Sequence, residues 1–222
     1  MGNYIDRAQH RGAVRCVQLL AYLTLLGVLT VVVMFIVYSL KEHDAKDTYI
    51  SFVMVLLSLL GSALNCAVGI SLPHNGKFGY FKIPLHVFII SDIIGVGYGA
   101  RQITAKGQGF NDVLPFIFYT SFYLGLLVCS IIILRYFIGT ASKRSAVISG
   151  TGLILFTLLH HGDIIYCMIN SDAFVDALPN NDNLIRLSCN SVILLTVIST
   201  MIVICIKPRE SEHTHSDPLR DQ

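Results

Sequence analysis

The stretch ISDIIGVGYGAR, Ile90–Arg101, decides how this chain is read. It sets a carboxylate, Asp92, and the glycines Gly95, Gly97 and Gly99 inside an apolar run. As one continuous helix, the run crosses a bilayer with an acid near its middle. As a re-entrant loop, it turns back on itself and every later segment changes sides.

The rest of the sequence supplies the context for that choice. Of 222 residues, 54% are hydrophobic and only 14% are charged, whereas a soluble domain carries about 25% charged residues. Mean hydropathy is +0.65. A composition of this kind specifies lipid as the solvent. A net charge of +2 is far too small for a chain that binds nucleic acid through its phosphates.

Apolar runs recur at 14–40, 49–72, 83–101, 113–138, 146–169 and 185–206. At 1.5 Å per residue each is long enough to cross roughly 30 Å of hydrocarbon. The expected fold is therefore all-α: a polytopic bundle of six transmembrane helices joined by short loops. It divides into an N-terminal segment 1–13, a membrane domain 14–206 and a polar tail 207–222 expected to be disordered. The first run is too long for a cleavable signal and reads as a signal anchor. Asp6 stands where a myristoylation signal needs Ser or Thr. Trp is absent, so Tyr49, Tyr80 and Phe81 are the expected interfacial anchors.

Counting charges separates the two readings of the opening stretch. With six spans, the N-terminal segment, the second and fourth loops and the tail share one side and hold eleven of the sixteen Lys and Arg residues. The opposite loops hold Lys41, Lys46, Arg101, Lys106 and Arg186. The positive-inside rule then places both termini in the cytoplasm. If residues 83–101 turned back, the basic residues would divide eight and eight and the bias would vanish. Val96–Gly99 also spells the Val-Gly-Tyr-Gly of a potassium-selective filter. Yet Gly95 replaces the threonine expected before it, and Arg101 would repel a permeant cation. The stretch is read as a spanning helix.

Its glycines then have a packing role. Gly95 and Gly99 form a Gly-x-x-x-Gly pair, with Asp92 on the same face. The second span carries a similar stripe, Ser58, Gly61, Ser62, Asn65 and Gly69, and is the expected partner.

The fifth span reads ISGTGLILFTLLHHGDIIYCMI, Ile148–Ile169. His160 and Asp163 share one face, and His161 shares another with Thr157. A charged acid at mid-span costs roughly 2.5–3.5 kcal/mol on insertion scales, so such groups normally line an interior or a wet cavity. Asp92, His160, His161 and Asp163 are accordingly the expected proton or cation relay, with Asn65, Tyr98, Thr157 and Asn190 lining its pocket. Imidazole titrates near pH 6.5, and a carboxyl in a dry site titrates above its solution value, so the two can exchange a proton near neutrality.

Cofactor chemistry fits poorly. A bis-His haem needs histidines at matching depth, but His86 and His160 differ by about 15 Å at 1.5 Å per residue. Adjacent histidines diverge by about 100° on a helix, and there is no His-Glu-x-x-His motif to build a zinc site. No metal or cofactor is expected. Of the six cysteines, Cys16 and Cys205 lie at the cytoplasmic ends of their spans, where palmitoylation is possible chemistry. Cys167 and Cys189 approach the outer ends of adjacent spans, leaving a disulfide open. Neither NSV nor NSD is a glycosylation acceptor.

The leading expectation is a small transporter or channel-like protein moving protons or a small cation or solute through a polar intramembrane pocket. The alternatives are a non-catalytic adaptor or assembly factor that binds a partner membrane protein, and an intramembrane lipid-modifying enzyme. The expected surroundings are the bilayer of a plasma or internal membrane, with a homo-oligomer or a partner membrane protein as company and no nucleic acid.

Overall fold

The computed structural model describes residues 11–39, 48–75, 78–105, 110–170 and 181–206. Six long helices account for nearly all of them: α1 (Arg11–Ser39), α2 (Thr48–Asn75), α3 (Lys82–Ala105), α4 (Phe110–Ile138), α5 (Lys143–Asn170) and α6 (Asn181–Ile206). A short 3-10 turn, Phe78–Phe81, leads into α3. All six are long and apolar enough to cross a membrane. Each extends a few residues beyond its apolar run, into the zone where headgroups solvate polar side chains. The Val-Gly-Tyr-Gly segment lies inside α3 as ordinary helix, so there is no re-entrant loop at this position. The N-terminal ten residues and the tail 207–222 lie outside the described residues.

Solvation is inverted relative to a soluble bundle. The exposed surface carries Leu19, Leu26, Phe118, Ile148 and Leu159, each more than 60% exposed. The interior holds Asp92, Asn65, Asn190 and nine Ser or Thr residues. That is how a helix bundle solvated by acyl chains sorts its groups, because polar atoms find partners only inside. The protein is a multi-pass integral membrane protein, and an even number of spans puts both termini on one side. The basic residues mark that side as cytoplasmic; the ends of the bundle are called inner and outer accordingly.

Successive helices pack as antiparallel neighbours, and α6 closes the ring by packing on α1. An additional contact runs across the ring between α2 and α6. The consequence is that α1 rides outside the α2–α6 seam, while α2 to α6 surround the centre. Gly27 lets α1 sit close there: a Cβ at that position would lie 2.8 Å from Val192. The α4–α5 connection is short because its caps are built in. Gly139, at φ 96°, ends α4 in the left-handed conformation. Gly139 N–H donates to the Tyr136 carbonyl at 3.1 Å, and Thr140 N–H donates to that of Arg135 at 2.8 Å, the paired bonds of a Schellman motif. Ser142 then caps α5, its hydroxyl accepting from the Ser145 N–H at 3.1 Å.

Two apolar clusters hold the bundle. The inner one gathers Val17, Leu72, Leu85, Ile133, Val203 and Ile204 around Phe81, which stacks on Phe137 with centroids 6.0 Å apart. Phe81 is thus a fully buried plug rather than the interfacial anchor expected from its position, because the 3-10 turn swings it under α3 and α4. Tyr80 remains 40% exposed; Tyr49 lies outside the described side chains. The outer cluster, Val28, Val31, Leu59, Ile185, Cys189 and Val192, fastens α1 to α2 and α6.

The glycine stripes pack as small-residue contacts, but with different partners. A Cβ on Gly95 would run into the Tyr123 ring, and one on Gly99 into Thr120, both on α4. The stripe on α3 therefore receives α4, not α2. The α2 stripe is divided among three neighbours. Gly61 takes the Phe88 ring of α3 at 3.0 Å, Gly69 takes Ala21 of α1 at 3.1 Å, and Asn65 turns to α6. Residues three and four apart drift around a straight helix, so one stripe serves several neighbours when the bundle is a ring.

Candidate functional site

Asp92 occupies the middle of α3 and is 7% exposed. Its Oδ2 accepts a hydrogen bond from the Ser130 hydroxyl of α4 at 3.3 Å. One turn outward of the inner plug, a cavity of about 50 Å³ opens at its side. Helices α2 to α6 all contribute to the wall and α1 contributes nothing. The polar residues of that wall are Asn65, Asp92, Ser130, Thr157, Thr196 and Thr200. By the criterion of about 10–15 Å³ per water, the space admits about four water-sized groups.

The wall's hydrogen bonds are mostly spent on backbone. Thr157 donates to the Leu153 carbonyl at 2.7 Å, Thr196 to that of Val192 at 2.9 Å, and Thr200 to that of Thr196 at 2.9 Å. These are the i−4 bonds by which Thr satisfies itself in a helix. Asn65 reaches across to the Thr196 carbonyl at 3.5 Å. Beside the wall, Ser62 and Ser199 are buried hydroxyls with no hydrogen-bond partner among the described residues.

One turn outward of Thr157, on the same face of α5, His161 forms a second polar group with α6. Ser191 donates its proton to the Leu187 carbonyl at 2.8 Å, so its oxygen accepts from Nε2–H of His161 at 3.0 Å. Nδ1 is then an acceptor. It takes one hydrogen of the Asn190 amide at 2.7 Å, and the other goes to the Thr157 carbonyl at 3.1 Å. Asn190 is 5% exposed and both its amide hydrogens are used. Tautomer and amide orientation follow here from the pattern of donors, as they must where hydrogens are not seen.

Thr157 links the two groups: it lines the cavity and its carbonyl carries Asn190. Asp92 and His161 do not meet directly. The third and fifth helices do not form a packed pair, because α4 stands between them.

The remaining expected site residues are distributed as follows. His160 leaves His161 and lies over the Phe122 ring of α4, centroids 5.0 Å apart, since neighbouring residues on a helix point about 100° apart. The side chain of Asp163 lies outside the described residues. Tyr98 is not part of the cavity wall; its ring meets Tyr119 edge-on at 6.0 Å. Tyr119 continues to Tyr123 at 4.7 Å and Tyr123 to Phe122 at 5.3 Å, an aromatic row that ends against His160. Cys16 and Cys205 are exposed near the inner end, and Cys189 is a buried free thiol; the Cys167 side chain is outside the described residues. Among the described residues, no three His, Cys, Asp or Glu side chains converge as a metal site would require.

Sequence reasoning passed over Ser130, Ser191, Thr196 and Thr200. Each is a single small hydroxyl in an apolar span, a pattern that usually means nothing more than backbone self-bonding. Only Ser191, next to Asn190, carried a usable signal. Compared with known protein families, curated proteins and solved structures, the chain matches none.

Proposed function

We propose that this protein moves a proton or a small cation across the bilayer through the cavity beside Asp92. The observation that carries the reading is a carboxyl group midway along a membrane-spanning helix, whose partner among the described residues is one neutral hydroxyl, facing open space inside a ring of five helices. Removing a lone carboxylate from water costs several kcal/mol. A structural acid would be matched by Arg, Lys or several donors, and among the described residues Asp92 has no ion pair. An acid left in this state is suited to holding a proton or a cation and giving it up again.

In this reading Asp92 is the carrier group. The inner apolar plug around Phe81 and Phe137 closes the cytoplasmic route, and the path runs outward past Thr157. His161 stands next along that path, with Asn190 and Ser191 fixing its ring. A proton arriving at Nδ1 would displace the Asn190 hydrogen, loosening the α5–α6 contact at the place where the cavity would open outward.

The test is flux in proteoliposomes under an imposed pH or cation gradient. The expected result is uptake that Asp92→Asn abolishes while the variant keeps its helical content and elution volume. Absence of flux in the unaltered chain, with a partner membrane protein co-purifying, would transfer the protein to the adaptor class.

A further inference from the structure

The cavity wall specifies the occupant more narrowly than a general affinity for cations. A hydroxyl has one proton, and in Thr157, Thr196, Thr200 and Ser130 that proton is already donated. What these side chains retain is lone pairs. Asn65 uses one N–H on the Thr196 carbonyl, leaving its second N–H and its oxygen. Apart from that one N–H and the proton that a neutral Asp92 carboxyl would carry, the polar wall consists of acceptors. An occupant must bring its own hydrogens and a positive charge.

Two kinds of cation meet the charge requirement. A bare hard ion wants about six oxygens packed closely around it, would leave most of the 50 Å³ unfilled, and would face a wall in which nine of fifteen residues are apolar. Leu85, Leu153, Ile193 and Met201 supply aliphatic surface and Phe88 an aromatic ring. A binding site of this composition, mainly apolar with a few convergent polar groups, is built for an organic ligand. An ammonium group offers three N–H donors and a charge, and a ring close by adds attraction for it. Room for about four water-sized groups sets the body at a few carbons.

We infer that the Asp92 cavity binds a small primary alkylammonium ion, its nitrogen on Asp92 and the threonine oxygens and its short chain against Phe88 and Leu153. This rests on the transport reading for its physiological meaning, but not for the binding itself. Charge balances in this exchange: the ammonium ion enters from water as Asp92 releases its carboxyl proton to the same aqueous phase, so the dry interior is neutral before and after.

The probe is propylammonium, with sodium and propanol as the charge-only and shape-only comparisons. Binding is measured by calorimetry and by thermal unfolding of the full chain in nanodiscs. Propylammonium is expected to bind saturably and to raise the unfolding temperature, with propanol and sodium giving no such shift. Asp92→Asn should abolish the effect, and the near-isosteric Thr196→Val should weaken binding about tenfold, the loss of one good hydrogen bond. Saturation by sodium, equal binding by Asp92→Asn, or no binding by the folded wild type would each overturn the inference. Proton flux through a chain that does not bind propylammonium would sink the ligand and leave the transport reading. Binding without flux of any kind would sink transport and leave the ligand.

Discussion

The Asn190 amide bridges two acceptors that belong to α5, Nδ1 of His161 at 2.7 Å and the carbonyl of Thr157 at 3.1 Å. One side chain of α6 therefore secures both the outer histidine and the cavity wall. Interhelical hydrogen bonds in membranes average about 0.6 kcal/mol and reach about 1.7. A double-mutant cycle between Asn190→Leu and His161→Ala, followed by unfolding in detergent, should give a coupling energy in that range. Additive single effects would show that the two side chains do not interact.

The Ser130 hydroxyl is the partner of Asp92, at 3.3 Å. Ser130→Ala should cost about 1 kcal/mol of stability, as the loss of a single hydrogen bond does, and leave the protein folded. Asp92→Asn keeps the shape and an acceptor oxygen, so its stability should change comparably little while flux is abolished. Equal flux in the asparagine variant would remove Asp92 from the mechanism.

The close approach of α3 and α4 depends on having no side chain at two positions. Gly95→Ala and Gly99→Ala place a methyl against the Tyr123 ring and Thr120, and overpacking of this sort costs about 1–3 kcal/mol. Gly97, on the same helix, has open space where its Cβ would be, and Gly97→Ala should be neutral within about 0.5 kcal/mol. Thermal unfolding of the three variants distinguishes packing glycines from a merely glycine-rich helix.

Sidedness is open to a chemical test. Cys16 and Cys205 are exposed, whereas Cys66 and Cys189 are buried. A membrane-impermeant maleimide should label the first two only when the cytoplasmic face is presented, and should spare the second two until the protein is unfolded. Labelling of Cys16 from the opposite face would invert the topology derived from the basic residues.

Much of the membrane architecture was legible because it depends on each span singly. The helix bounds follow the apolar runs to within a few residues, and the charge count correctly kept Val96–Gly99 in a helix. The candidate site was legible only in part. Asp92, Asn65, Thr157, His161 and Asn190 all proved to be interior groups in or beside one polar region. Tyr98 meets the Tyr119 ring rather than the cavity, and Phe81, expected at the interface, is a fully buried ring of the inner plug. Each of those misplacements concerns the direction in which a residue points from its helix, which the bounds do not contain.

By itself the sequence determined six spans, their alternation across the bilayer and the presence of an acid at mid-depth. Those properties are transfer free energies between water and lipid, and a span needs no neighbour to express them. Which groups meet was decided only by the tertiary structure. Placing α4 between α3 and α5 gave Asp92 a serine and His161 an asparagine, where the sequence led to the expectation that the two meet each other. Rotation about the helix axis and order around the ring arise from pairwise packing, such as Tyr123 in the notch at Gly95, and no single span encodes them.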